Sequence, residues 1–171
     1  MKQHYQEDHF FFEAEGYRIP AALTLPERRN IAWSLVLIPG SMSNDVDGNY
    51  LDIHMHPHMY ADLARQLAER GHAVLRYAKA GPKTGTVVVD EQQVKAHRVF
   101  PRQQYIATAT VRKLRGMVPQ ARGLAVMGHS EGSVHGLMIA QQSDLSVDAF
   151  VSLSGPAFRY IDLFIYKARE L

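Results

Sequence analysis

Residues 123–132 read GLAVMGHSEG, and this stretch decides the fold. Residues 123–127 are a short apolar run that suits a buried strand, and residues 133–142 carry helical character, with Val134, Leu137 and Met138 as the expected apolar face. Between them Gly128, Ser130 and Gly132 make a Gly-x-Ser-x-Gly pattern. Alone that pattern is a weak signal; a strand before it and a helix after it supply the context it requires. Reversing from strand to helix in so few residues forces Ser130 into a strained backbone conformation. Side chains at 128 and 132 would collide with neighbouring backbone, so glycine is needed at both. The Ser130 hydroxyl is then expected at the carboxyl edge of a sheet, where open α/β sheets bind ligands. The backbone N–H of Glu131, at the helix start, points to the same spot and can stabilise a developing oxyanion with help from the helix dipole. The competing reading is an ordinary serine at a βα turn or helix cap. His129 reads as a packing residue, and the side chains of Glu131 and Ser133 as parts of the turn.

Working outward, residues 33–38 (WSLVLI) form a continuous apolar run stopped by Pro39-Gly40, as in a strand buried on both faces. Tyr60, Leu63, Ala64 and Leu67 have helical spacing, with Gly71 as the C-terminal cap. Residues 73–77 (AVLRY) predict a strand. Ala107, Thr110, Val111 and Leu114 predict a helix, closed by Gly116 and Pro119. Residues 147–154 predict a last strand and residues 160–171 a last helix. At the N-terminus, Phe10-Phe11-Phe12 and residues 17–25 predict a strand pair turning at Gly16. Pro20 assigns part of the second strand to a sheet edge. The phenylalanine run fits core packing, with a binding patch as the other reading. The alternation of strands and helices from residue 33 predicts an α/β fold: a doubly wound, mostly parallel sheet with helices on both faces.

Composition sets outer limits. The 171 residues are 46% hydrophobic and 21% charged, enough for one domain with a sizeable core. The net charge of +2 demands no nucleic acid, and the absence of cysteine excludes disulfides and a thiol nucleophile. Residues 65–122 hold twelve Lys or Arg against three acids, while the remainder holds seven against fourteen. That asymmetry reads as solvated helix faces, as a basic rim that draws in an anionic substrate, or as the face for a missing acidic segment. The N-terminus does not resemble a secretory signal and no stretch is long and apolar enough to span a bilayer, so a cytoplasmic protein is expected.

With these residues in view, the sequence resembles the α/β-hydrolases over nearly its whole length, closest to the serine esterase, dienelactone-hydrolase and acyl-thioester-hydrolase branches. Those proteins carry a Gly-His-Ser-x-Gly elbow like residues 128–132. Some also have a loop of the form Gly-Ser-Gly-Pro-x-Asp-Arg-Asp-Gly-Asn, matched here at Gly40, Ser41, Asp45, Asp47, Gly48 and Asn49. "Leu-Arg-Tyr" at 75–77 and "Leu-Ser-Gly-Pro" at 153–156 are similar as well. Pro39 stands where many members have His; Met42, Ser43 and Val46 replace Gly, Pro and Arg; Ala78 and Ala80 stand where Asp and Arg are frequent. The resemblance implies that Ser130 is a nucleophile and that the backbone N–H of Ser41 is the second oxyanion donor. It implies a small-molecule carboxylic ester or thioester as substrate, and no cofactor, metal, nucleic acid or membrane.

A serine nucleophile needs a base, and the base an orienting acid. The family order is Ser, acid, His. After Ser130 the only histidine is His135, and Asp144, Asp148 and Asp162 all follow it. No such series can be assembled, so the expectation is a single, incomplete domain over residues 1–171, truncated at its C-terminus. The alternative to a serine hydrolase is a non-catalytic remnant, or one half of a split protein that a partner chain completes. The strand at 147–154 is then an exposed apolar edge that invites self-association or a completing chain. His54, His56 and His58 alternate (DIHMHPH) and fit a polar loop before a helix. Zinc chelation by the three would instead make a metal hydrolase.

Overall fold

A computed structural model describes residues 4–27 and 30–156. Strands β1 (Tyr5–Ala14) and β2 (Tyr17–Pro26) form an antiparallel hairpin. Its two-residue turn puts Glu15 (φ 51°) and Gly16 (φ 76°) in left-handed backbone, which matches the twist of paired strands. There follow β3 (Trp33–Ile38), α1 (Met59–Glu69), β4 (Ala73–Tyr77), β5 (Val87–Val88), α2 (Glu91–Ala96), α3 (Val99–Met117), β6 (Gly123–His129), α4 (Glu131–Ala140) and β7 (Ala149–Leu153). The strand order is β1-β2-β4-β3-β6-β7, with β5 also paired to β2. Strands β4, β3, β6 and β7 are parallel, and the hairpin joins them antiparallel through β2. This is the doubly wound, mostly parallel sheet that the sequence predicts. Among the described residues no helix is long and apolar enough to cross a membrane.

The continuous apolar runs are explained by burial on both faces. In β3, Leu35 and Leu37 pack toward Tyr60 and Ala64 of α1, while Val36 and Ile38 enter the larger core with Ile106, Val111 and Leu114 of α3 and Ile139 of α4. Val74 and Leu75 of β4 divide between the two cores in the same way, as do Ala125 and Val126 of β6. At the phenylalanine run the alternation is visible in exposure: Phe12 is buried, and Phe11 is exposed beneath the Arg18 guanidinium, 4.8 Å from its ring centre.

Two expectations need correction. Strand β2 is internal rather than an edge, flanked by β1 on one side and by β4 and β5 on the other. Pro20 is tolerated because it sits between the two partners: β5 pairs Tyr17 and Arg18, β4 pairs Ala21 to Thr24, and the Pro20 carbonyl accepts from Ala78 N–H. On α4 the expected apolar face is largely the outer one: Leu137 and Met138 are exposed, whereas His135, Gly136 and Ile139 are buried. The helix lies so close to the sheet that a Cβ at Gly136 would press on Phe150 and Val126, so small residues take the inner face. The short β5 and α2, and the first two turns of α3, were not predicted. The helix expected at 160–171 lies outside the described residues. Strand β7 pairs with β6, and no second neighbour exists among the described residues.

Arg76 is the one fully buried Lys or Arg among the described residues, and it lies on the α1 side of β4. Its guanidinium donates to Glu7 Oε2 of β1 at 3.1 Å, to Thr24 Oγ1 of β2 at 2.8 Å and to Asp47 Oδ1 of the loop after β3 at 3.1 Å. Arg65 of α1 reaches Glu7 Oε1 at 3.1 Å. Burial pushes the Glu7 carboxyl up, but hydrogen bonds from Arg76 and Arg65 outweigh it and hold it at about 2. Removing one partner of a buried ion pair strands the other. Glu7→Gln is therefore expected to lower unfolding free energy by about 3 kcal/mol, the lower end for buried pairs because Asp47 remains; urea denaturation measures it.

Candidate active site

Strand β6 ends at His129 and α4 begins at Glu131, so Ser130 alone carries the reversal. Its backbone sits at φ 52°, ψ −121°, a conformation that costs a non-glycine residue about 1–3 kcal/mol. The surroundings hold it there. Ser130 N–H donates to the Leu153 carbonyl at 2.8 Å, and the Ser130 carbonyl accepts from Ser133 N–H at 2.9 Å. Ser133 Oγ donates to the Gly128 carbonyl at 2.6 Å. A Cβ at Gly128 would collide with the Gly132 and Ser133 backbone, and one at Gly132 with the carbonyl of Ile38. The glycine requirement read from the sequence is thus steric at both positions.

The elbow borders a cleft of about 290 Å³ at the carboxyl edge of the sheet. Gly40, Ser41, His129, Ser130 and Ser154 line it, together with Met42, Tyr50, Ile53 and Met55. Ser41 and Ser130, 89 positions apart, therefore share one cavity. The Glu131 N–H belongs to the first turn of α4, whose amides have no intrahelical acceptor. Among the described residues no charged side chain lines the cleft. Of the basic residues counted in 65–122, Lys95, Arg98, Arg112, Arg115 and Arg122 are exposed on or near α2 and α3.

The loop between β3 and α1 is tied by its own side chains. Asp45 Oδ1 accepts from the N–H groups of Asp47 (2.9 Å) and Asn49 (3.0 Å), and Asn49 Oδ1 accepts from His58 N–H (3.0 Å). Gly48, at φ 84°, lies against the Tyr60 ring where any Cβ would clash. The Tyr60 hydroxyl accepts from Gly40 N–H at 3.2 Å and lies 2.9 Å from His129 Nδ1. Burial pushes the Tyr60 hydroxyl up and the His129 imidazole down, so both are neutral near pH 7. His129 thus packs, as expected, yet it also reaches the cleft wall.

The Glu131 side chain turns to a partly buried cluster. Lys79 Nζ donates to Glu131 Oε2 at 3.0 Å, and His135 Nε2 lies 3.7 Å from Glu131 Oε1. Burial pushes the Glu131 carboxyl up, but His135 and Lys79 together outweigh it and hold it at about 2. His135 is enclosed: its Nδ1 pairs with Gln104 Oε1 at 2.8 Å and its ring lies 4.4 Å from that of Phe100. Among the described residues no histidine is hydrogen-bonded to the Ser130 hydroxyl. His54, His56 and His58 lie in an exposed segment before α1, and no group of three His, Asp or Glu among the described residues is placed to hold a metal ion. Lys79 escaped the sequence reading, which had Tyr60 only as a helix position and Arg76 only as part of a strand; the one local hint was a lysine two positions beyond the AVLRY strand.

No protein-family model matches the sequence, and no curated protein matches it. Its fold does have solved counterparts. An α/β serine hydrolase without a lid from Xanthomonas campestris superposes with a TM-score of 0.63 at 20% identity, covering 91% of this chain and 64% of its own. An α/β serine hydrolase homologue from Coxiella burnetii gives 0.59 at 16%, covering 90% and 65%. Brefeldin A esterase, a bacterial homologue of human hormone-sensitive lipase, gives 0.63 at 15%, covering 87% and 39%. The chain has the α/β-hydrolase fold. It spans less than two thirds of the length of each of these three proteins.

The two depressed carboxylates set an acid limit. Glu7 and Glu131 have folded values of about 2 against an ordinary 4.5, so their stabilisation is complete above pH 4.5 and lost as pH falls toward 2. Thermal melts between pH 6 and 2.5 are expected to show the midpoint falling below about pH 4.5, with a shallower slope in Glu131→Gln.

Proposed function

We propose that this chain carries the nucleophile and the oxyanion-binding part of a serine hydrolase acting on carboxylic esters or thioesters. The observation that carries the reading is Ser130, held at positive φ between β6 and α4 and opening on the same cleft as Ser41. In this reading Ser130 Oγ bonds to the acyl carbon as its proton passes to a base from outside the described residues and from there to the leaving alcohol or thiol, and the carbonyl electron pair moves onto oxygen. The N–H groups of Ser41 and Glu131 receive that oxyanion. Its collapse expels the alcohol or thiol and leaves an acyl-enzyme, which water hydrolyses. The reaction needs no cofactor. The uncharged lining, with Met42, Ile53 and Met55, suits a neutral acyl group.

A second reading is a non-catalytic remnant, or half of a split hydrolase whose partner supplies the base, docked beside β7. It is favoured by the engagement of His135 with Gln104 and Phe100, away from the Ser130 hydroxyl. A fluorophosphonate probe separates the two. Labelling of the folded wild type that is abolished in Ser130→Ala is the result expected of a working nucleophile. A folded wild type that stays unlabelled would favour the second reading.

A further inference from the structure

We infer that Lys79 is a positioning residue that aims the Ser41 N–H into the cleft and couples it to the start of α4. The inference deepens the hydrolase reading and takes its catalytic meaning from it. Lys79 Nζ donates to the Gly40 carbonyl at 2.8 Å and to Glu131 Oε2 at 3.0 Å. The Gly40 carbonyl and the Ser41 N–H belong to one peptide plane, and in a trans peptide they point opposite ways. Holding the oxygen on Lys79 therefore turns the N–H away from it. The other end of Gly40 is held as well, since its N–H donates to the Tyr60 hydroxyl. Lys79 and Tyr60, from separate elements, thus fix both backbone polar groups of the residue before Ser41.

The same contact acts on donor strength. An ammonium on the Gly40 oxygen draws electron density toward it and makes the Ser41 N–H a better donor, as in any hydrogen-bonded chain. The side chains of Lys79 and Glu131 are only 12% and 11% exposed, so solvent screens the contact weakly. Lys79 also neutralises a carboxylate one residue from the nucleophile. Without it, Glu131 would oppose the negative charge that develops on the substrate oxygen.

The test uses a feature of the sequence: only two peptide bonds join glycine to serine, 40–41 and 132–133. Chain labelled with carbonyl-¹³C glycine and ¹⁵N serine gives two carbonyl–amide cross-peaks, and Ser41→Ala deletes the one to be followed. In K79M the Gly40–Ser41 peak is expected to move upfield in ¹³C, while the Gly132–Ser133 peak stays dispersed and shows that the elbow is folded. K79R is expected to restore it, and K79Q replaces K79M if that variant does not fold. A Gly40–Ser41 peak unmoved in a folded K79M or K79Q overturns the inference. Fluorophosphonate labelling is expected to slow about 10–100-fold in K79M and to recover in K79R. A wild type that is never labelled sinks the hydrolase reading alone, and the cross-peak still decides the clamp.

Discussion

The absence of room for a Cβ at Gly132 governs the arrangement of this molecule. That glycine lies against the carbonyls of Ile38 and Pro39, which brings the first turn of α4 onto the end of β3. The parallel register supports the contact, because Ile38 stands opposite Gly128 just before both chains leave the sheet. Gly40 then falls beside the elbow, where its Cβ would lie 3.3 Å from that of Ser130. Strain of about 1–3 kcal/mol at Ser130 is tolerable because the packing of α4 on β6 and β7 over-determines the turn.

Two ionic clusters hold what the apolar cores cannot reach. The loop from Gly40 to His58 has little regular structure, and its placement depends on side chains. Asp47 binds it to Arg76, and through Arg76 to Glu7 and the hairpin; Lys79 binds its first residue to Glu131. Buried ion pairs of this kind are often no better for stability than hydrophobic replacements. Their effect here is directional. A leucine at 76 or 79 would fill space, but it could not hold a carboxylate or a carbonyl at a set distance from the cleft.

The legible part of the sequence is the part whose signal is local. Residues 33–38, 73–77 and 123–127 announce buried strands, and the glycines at 128 and 132 announce the elbow, because each signal lies within a few residues. The misreadings share a cause. Val134, Leu137 and Met138 are more hydrophobic than Gly136 and His135, yet close approach to Phe150 selects the small residue for the inner face. Pro20 cannot donate to a ladder, and nothing local reveals that β2 changes partners there. The clusters were invisible because their members are distant: Arg76 and Glu7 stand 69 positions apart, and Lys79 and Glu131 52. Resemblance pointed to Asp47, Gly48 and Asn49 as a pattern; only the structure says that the first binds Arg76 and that the second makes room for Tyr60.

The position of His135 bears on where a base for Ser130 can come from. Ser130 stands outside the helix at its cap, while His135 is buried beneath α4, where Gln104 and Phe100 hold it without a hydrogen bond to the Ser130 hydroxyl. Moving it back would empty the core beneath α4 and release the Glu131 carboxylate. His129 is engaged differently: its Nδ1 pairs with the Tyr60 hydroxyl, which also accepts from Gly40 N–H, and it makes no hydrogen bond to the Ser130 hydroxyl. In the hydrolase reading, an imidazole serving Ser130 would approach over the carboxyl edge, through the cleft that Met42, Ile53 and Met55 border.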